Sequence, residues 1–132
     1  MQIFLSKNPT SFNQSFQTIR DLKATTLLVI LNDRIPDGRD VSWIWDTDLT
    51  GIETFKHIIV SGDRTYDMAL RIQYEQDNKW SRENQQWKIE SDVKKAIDLG
   101  IKQLAQNETL YILPTYSAML EARKILTGKK IL

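Results

Sequence analysis

The residues best suited to catalysis or binding lie in one stretch, Asn32–Asp48, which holds five aspartates and two tryptophans in seventeen positions. Carboxylates can bind a metal ion or support a histidine base, and exposed aromatic side chains can anchor a partner protein. Loops longer than about 12–15 residues are uncommon in compact domains and usually serve function. The candidate site residues are Asn32, Asp33, Asp37, Gly38, Arg39, Asp40, Ser42, Trp43, Trp45 and Asp46, with Arg64 from a later loop.

Part of this stretch also has an ordinary structural interpretation. Residues 36–38, Pro-Asp-Gly, are typical turn sequence. Asp46 or Asp48 could cap a following helix, and Trp43 and Trp45 could simply belong to the core.

The aspartates do not match a calcium-binding EF-hand loop. Counted from Asp33, Asp37 fits position 5, but Ile35 and Ile44 occupy positions 3 and 12, where oxygen ligands are required. A looser magnesium site formed by Asp33, Asp37 and Asp40 remains an alternative.

The composition restricts the possible functions. The 18 basic and 17 acidic side chains give a net charge of +1, which argues against a nucleic-acid partner and against attraction to an anionic membrane. Because cysteine is absent, this sequence supplies no disulfide, thiolate zinc site or cysteine nucleophile. The longest apolar run, residues 27–31, is far shorter than a bilayer span of about 20 residues, and no signal-peptide pattern is visible. We therefore expect a cytoplasmic protein without membrane insertion.

The phosphate-binding sequences of nucleotide enzymes are also missing. Neither the P-loop motif nor GxGxxG occurs, so this chain alone is not expected to carry an ATP-dependent step.

Short apolar runs alternate with amphipathic stretches along the chain. Strands are predicted at Gln2–Leu5, Thr25–Leu31, His57–Val60, Trp87–Ile89 and Leu110–Leu113. Helical spacing follows Asn8-Pro9 and recurs at Thr65–Tyr74, Ser91–Leu104 and Tyr116–Leu126. Strict alternation predicts one α/β domain over residues 1–132, Rossmann-like, with a mostly parallel sheet and helices on both faces. Ile131-Leu132 is a candidate edge strand, and the segment around Trp80 has no assigned role.

This fold class predicts where the candidate residues meet. In an open parallel sheet, ligands and partners meet the carboxyl ends of the strands. The 32–48 loop follows a buried strand, and Arg64 follows the next strand, where it could reach the acidic loop or an anionic partner group. His57 begins its strand, so we expect it at the opposite edge in a structural or surface role.

The run LNDRIPDGRDVSWIWDTDL, residues 31–49, strongly resembles the C-terminal domain of the MurT family, the Mur-ligase-like subunits of lipid II isoglutaminyl synthase. Three further stretches, Asn8-Pro9, residues 61–64 (SGDR) and residues 113–116 (LPTY), resemble motifs of the same family, so the similarity extends over nearly the whole chain. Pro36 stands where the family commonly has alanine, which should stiffen the turn without changing its charge.

The resemblance implies a Mur ligase C-terminal-domain-like fold and a part in glutamine-dependent amidation of the D-glutamate α-carboxyl in the peptidoglycan stem peptide. It implies a GatD-like class I glutaminase as partner, whose cysteine and histidine release ammonia from glutamine. The second aspartate of the DGRD motif, here Asp40, would complete a Cys-His-Asp triad in trans. ATP and magnesium are implied only for the family's Mur-ligase-like ATPase domain, which this sequence does not include. The isolated domain is therefore expected to bind no cofactor or metal and to be inactive alone.

Two questions stay open at this point. The acidic, tryptophan-bearing loop could instead be only a docking surface in a stand-alone, non-catalytic interaction module. Trp43 and Trp45 would share one face of an extended segment, where they either anchor an interface or pin the loop to the domain.

Overall fold

The computed structural model describes residues 1–76 and 85–131 and shows strands and helices in alternation. The strands are β1 Gln2–Ile3, β2 Thr26–Ile30, β3 His57–Ser61, β4 Gln86–Ile89 and β5 Tyr111–Pro114. The helices are α1 Pro9–Asp21, α2 Thr65–Gln76, α3 Val93–Gln103 and α4 Tyr116–Ile131. Three short 3-10 turns, Ile35–Asp37, Ser42–Asp46 and Ile52–Thr54, lie between β2 and β3.

The five strands form one sheet in the order β1-β5-β2-β3-β4. Every pairing among the described strands is parallel, with Leu27 of β2 opposite Ile58 of β3 and Tyr111 of β5. This arrangement confirms the predicted α/β fold. It also places β2 at the centre, so that the loop after β2 leaves the middle of the carboxyl edge.

Helices cover both faces of this sheet and create two cores. On one face, α1 and α2 pack against Leu27 and Val29 of β2. On the other, α3 and α4 pack against Leu28 and Ile30. All five residues of β2 are buried, which explains why its sequence is continuously apolar instead of alternating.

Local sequence signals fix the helix starts. Asn8 Oδ1 accepts a hydrogen bond from Ser11 N at 2.8 Å, Asn8 N donates back to Ser11 Oγ at 3.2 Å, and Pro9 occupies the first turn. Asp92 caps the N-terminus of α3, because its carboxylate accepts a hydrogen bond from Lys95 N at 3.0 Å.

The ends of the sheet differ in part from expectation. The strand predicted near Trp87 is confirmed as β4. The edge strand predicted at Ile131-Leu132 is wrong at Ile131, because α4 continues to this residue and β1 occupies the edge beside β5. Leu132 and Trp80 lie outside the described residues. Within the described ranges, none of the helices has the length and apolar character needed to cross a membrane.

Candidate functional site

Asn32 connects the segments that follow three neighbouring strands at the carboxyl edge of the sheet. It follows β2, is 1% exposed, and bonds to the loops after two other strands. Its backbone N–H donates to Thr115 Oγ1 at 3.0 Å, its side-chain Nδ2 donates to Ser117 Oγ at 3.0 Å, and its Oδ1 accepts from Asp63 N at 2.9 Å. A buried amide that meets partners on both sides of β2 fixes these three loops relative to one another.

Gly62 permits the close approach of the loop after β3 to Asn32. Its φ is +103°, and a Cβ at this position would lie 2.5 Å from the Leu31 carbonyl oxygen and 2.8 Å from Asn32 Oδ1. Glycine is therefore required here both for its backbone conformation and for the absence of a side chain.

Asp37 ties the first turn of the loop to α4. Its Oδ1 accepts from Ser117 N at 2.7 Å, and its Oδ2 accepts from the Ser117 hydroxyl and from Arg34 N at 3.1 Å. Gly38 follows with φ +83° and open space around it, so it allows the chain to turn without packing against anything. The predicted turn at residues 36–38 is confirmed, but Asp37 also makes a long-range contact that turn chemistry does not require.

Two arginines carry the charge network of the loop. Arg34 pairs with Asp63 at 3.0 Å, and this hydrogen bond raises the pKa of its guanidinium. Arg64 pairs with Asp67 at 2.7 Å and with Asp33 at 3.2 Å, and these hydrogen bonds raise its pKa in turn. Arg64 therefore reaches the acidic loop through Asp33, as predicted.

Asp40 points outward and is ionised. Its side chain is exposed, and Oδ1 accepts from Ser42 N at 2.8 Å. Hydrogen bonds from the backbone and the hydroxyl of Ser42, followed by the positive charge of Arg64, hold the pKa of Asp40 below its ordinary value. A carboxylate has about four lone-pair sites, so Asp40 can accept a further hydrogen bond while keeping those from Ser42. Arg39 and Asp46 are exposed on the same loop.

The two tryptophans take different roles because residues 42–46 form a 3-10 turn, and the expectation that both share one face of an extended segment is wrong. Trp43 is half-buried and packs edge-on against Phe12, with ring centroids 6.1 Å apart. Trp45 is 45% exposed and meets Tyr74 edge-on at 5.6 Å. Trp43 thus pins the loop to α1, while Trp45 presents an aromatic surface beside α2.

Arg71 of α2 holds the later portion of the loop, around Ile44 and Thr47, against the domain. It is 5% exposed, donates to the carbonyls of Ile44 at 3.0 Å and Thr47 at 2.7 Å, and pairs with Glu75 at 3.3 Å. Its guanidinium carbon also lies 5.7 Å from the Trp45 ring, within cation–π range.

Several of these residues were missed from the sequence. Arg71 could have been found, because it lies on the buried face of a helix beside Met68 and Ile72, where a charged side chain needs partners. Ser117 and Thr115 carried no such signal, because nothing local connects them to Asn32, more than 80 positions away.

Two other candidates from the sequence, His57 and a magnesium site, do not add to the site at this edge. His57 starts β3 and therefore lies at the opposite edge, as expected. Among the residues that the structure describes, no three carboxylate or histidine side chains gather closely enough to hold a metal ion, so Asp33, Asp37 and Asp40 do not form the magnesium site considered above. The arrangement instead presents the exposed, ionised carboxylate of Asp40 between two anchored parts of the loop.

Comparison with known proteins gives consistent matches. The family model described as MurT ligase C-terminal matches residues 5–119. The MurT subunit of lipid II isoglutaminyl synthase (glutamine-hydrolyzing) from Staphylococcus aureus strain COL is 40% identical over 73 residues, which cover 53% of this chain and 17% of that subunit. The subunit of the same name from Streptococcus pneumoniae is 31% identical over 135 residues, covering 98% of this chain and 28% of that subunit. The chain thus spans less than a third of these relatives.

Proposed function

The chain belongs to the MurT ligase C-terminal family, and we propose that it serves a lipid II isoglutaminyl synthase by docking the glutaminase and supplying Asp40 to a Cys-His-Asp triad in trans. The complex would amidate the D-glutamate α-carboxyl of the peptidoglycan stem peptide with ammonia from glutamine. The partner would be a GatD-like class I glutaminase. ATP and magnesium would be bound by a Mur-ligase-like ATPase domain and not by these residues, and the assembly would be cytoplasmic.

The observation that carries this proposal is the state of Asp40. It is exposed and ionised, and it lies on a loop that is anchored before it at Asp37 and after it at Val41, which is 6% exposed. Asp40 accepts hydrogen bonds from the backbone N–H and the hydroxyl of Ser42, and further lone-pair sites of its exposed carboxylate remain for another molecule.

A histidine base has a physical need for such a carboxylate. When imidazole removes a proton from a thiol it becomes positive, and an aspartate bonded to its second nitrogen fixes the tautomer and stabilises that charge. This sequence contains no cysteine, and its one histidine, His57, lies at the far edge of the sheet. The cysteine and the histidine would therefore come from the partner.

The exposed aromatic pair beside the loop supports a docking role. Trp45 is 45% exposed and Tyr74 67% exposed, and their rings contact each other. Trp45 is five residues from Asp40, so their Cα atoms are at most about 18 Å apart. An interface of typical size, about 800 Å² on each partner, is wide enough to cover both, and tryptophan and tyrosine often dominate binding energy in such surfaces.

The test measures glutamine hydrolysis by the complex of the full chain with its glutaminase, comparing wild type with Asp40→Asn. Loss of the negative charge should lower kcat by roughly 100- to 10,000-fold with the complex intact, as expected when a triad aspartate is neutralised. The matched control is Asp21→Asn, because Asp21 is exposed at the end of α1 and should leave the rate unchanged. Full activity of Asp40→Asn in an intact complex would refute the catalytic role.

A second candidate function is a non-catalytic docking module, which the exposed Trp45–Tyr74 pair favours on its own. In that case Trp45→Ala should abolish binding of the partner, while Asp40→Asn should change neither binding nor rate. Binding is measured by calorimetry on the purified chains, and the rate by ammonia release.

A further inference from the structure

We propose that Asp37 is a positioning residue for Asp40 and that Ser117, at the start of α4, holds it in place. This inference rests on the proposed function, because Asp37 is expected to act through the carboxylate of Asp40. It adds a role for two side chains that do not themselves reach the partner's histidine.

The contacts of Asp37 are tertiary and not merely local. Locally, the turn at residues 35–37 is closed by the hydrogen bond from Asp37 N to the Arg34 carbonyl at 2.8 Å and by the one from Arg34 N to the Asp37 carboxylate. Both Asp37 oxygens also accept from Ser117, one from the backbone N–H and one from the hydroxyl, across 80 positions of sequence. The Ser117 hydroxyl in turn accepts from Nδ2 of buried Asn32. Asp37 is thereby linked through Ser117 to the buried side chain of Asn32.

Asp40 lies on a short bridge between two anchors. Asp37 holds one end through Ser117, and buried Val41 holds the other. The three residues between them, 38–40, are all exposed. Because Asp40 is three residues from Asp37, its Cα is at most about 11 Å from that anchor. Releasing Asp37 would free the backbone of the bridge and spread Asp40 over many positions, whereas catalysis needs it in one.

The experiment uses the complex of the full chain with its glutaminase, with glutamine hydrolysis as the assay. Asp37→Ala should lower kcat by roughly 10- to 100-fold, the scale expected when a catalytic group is misplaced by about 1 Å. KM for glutamine should stay the same, because glutamine would bind to the partner. Ser117→Ala should give a smaller fall, since its backbone N–H still reaches Asp37, and Ser117→Thr should restore the rate. Ser15→Ala, a half-buried serine on α1, is the matched control and should have no effect.

The Asp40→Asn background separates positioning from general structural damage. If Asp37 acts through Asp40, Asp37→Ala should cause no further loss there, so that the double variant equals Asp40→Asn alone. A further loss in the double variant, or normal kcat for both Asp37→Ala and Ser117→Ala while Asp40→Asn is inactive, would overturn the positioning role and leave the proposed function standing. Normal kcat for Asp40→Asn would overturn both. If Asp37→Ala does not fold, Ser117→Ala in the two backgrounds decides the same question.

Discussion

The two parts of the long connection between β2 and β3 are held to the domain by different forces. The first part, residues 32–40, is fixed by hydrogen bonds and ion pairs, and most of its side chains are exposed. The second part, residues 41–55, is fixed mainly by apolar burial. Its core members are Val41, Ile44, Leu49, Ile52 and Phe55, each 6% exposed or less.

This difference explains how one loop can be both firmly attached and chemically available. Full burial of an aliphatic or aromatic side chain contributes about 1.5–3 kcal/mol, whereas a typical hydrogen bond contributes about 1 kcal/mol and an exposed ion pair less. The second part therefore supplies most of the attachment energy. The hydrogen bonds of the first part orient its backbone, because their energy depends on angle. Asp40 is the last residue of this first part and precedes buried Val41 of the second.

The largest expected effect comes from the apolar part. Ile44→Ala should lower the free energy of unfolding by about 3 kcal/mol, because Ile44 is 1% exposed and its truncation leaves a cavity. Ile35→Ala in the polar part is the matched control and should change it by less than about 0.5 kcal/mol, because Ile35 is 80% exposed. Urea denaturation followed by tryptophan fluorescence measures both, and equal losses would show that the two parts are not held differently.

Gly38, within the polar part, and Gly62, which packs against it at Asn32, should respond differently to the same change. Gly62→Ala should cost about 2 kcal/mol, because the new Cβ meets the Leu31 carbonyl and the left-handed conformation is strained. Gly38→Ala should cost about 1 kcal/mol, because it carries the conformational strain alone and has open space around it. Thermal or urea unfolding gives the ranking, and a larger cost at Gly38 would contradict the close packing at Gly62.

The ion pairs of the polar part should contribute little. A double-mutant cycle on Arg34 and Asp63 should give a coupling energy below about 1 kcal/mol, because both side chains are partly exposed and solvent screens them. The coupling should fall further in about 1 M salt. A coupling energy that exceeds the loss of stability in Ile44→Ala and persists at high salt would show that the polar part contributes more to stability than the apolar part.

The smallest effect concerns acid. Because the folded pKa of Asp40 is depressed by its hydrogen bonds from Ser42, its contribution to stability is present above the unfolded pKa and is lost as the pH falls through the lower, folded pKa. Titration of the carboxyl carbon by NMR should show this low pKa. Ser42→Ala should raise it only part of the way, since the backbone N–H of residue 42 still donates. A wild-type pKa at or above that of an ordinary, unperturbed aspartate would contradict the Ser42 contacts.

Much of this fold follows from local sequence. Continuous apolar runs predicted the buried strands, and Asn8-Pro9 predicted the start of α1, because capping and burial patterns involve neighbours in the chain. The end of the chain was harder to predict. Ile131 is apolar and compatible with either an edge strand or the last turn of α4, and only the position of β1 at that edge shows that the sheet needs no strand there.

The location of the site could be predicted from the sequence, but which of its side chains face outward could not. Its acidic loop and its place at the carboxyl ends of the strands were visible in the sequence, because turn chemistry and charge are local properties, while the choice of Asp40 among the aspartates came from the resemblance to the MurT family. Whether Trp43 or Trp45 faces outward depended on the 3-10 turn at residues 42–46 and on Phe12 of α1.

Residue types and their order determined the α/β class, the apolar β2 and the family to which the chain belongs. The packing of distant segments alone decided that Ser117 holds Asp37, that Arg71 binds the carbonyls of the loop, and that Asp40 is left exposed between two anchors. The physical reason is the range of the interactions: a strand or a cap is set by residues a few positions apart. A hydrogen bond across 80 positions exists only after the sheet has brought its partners together.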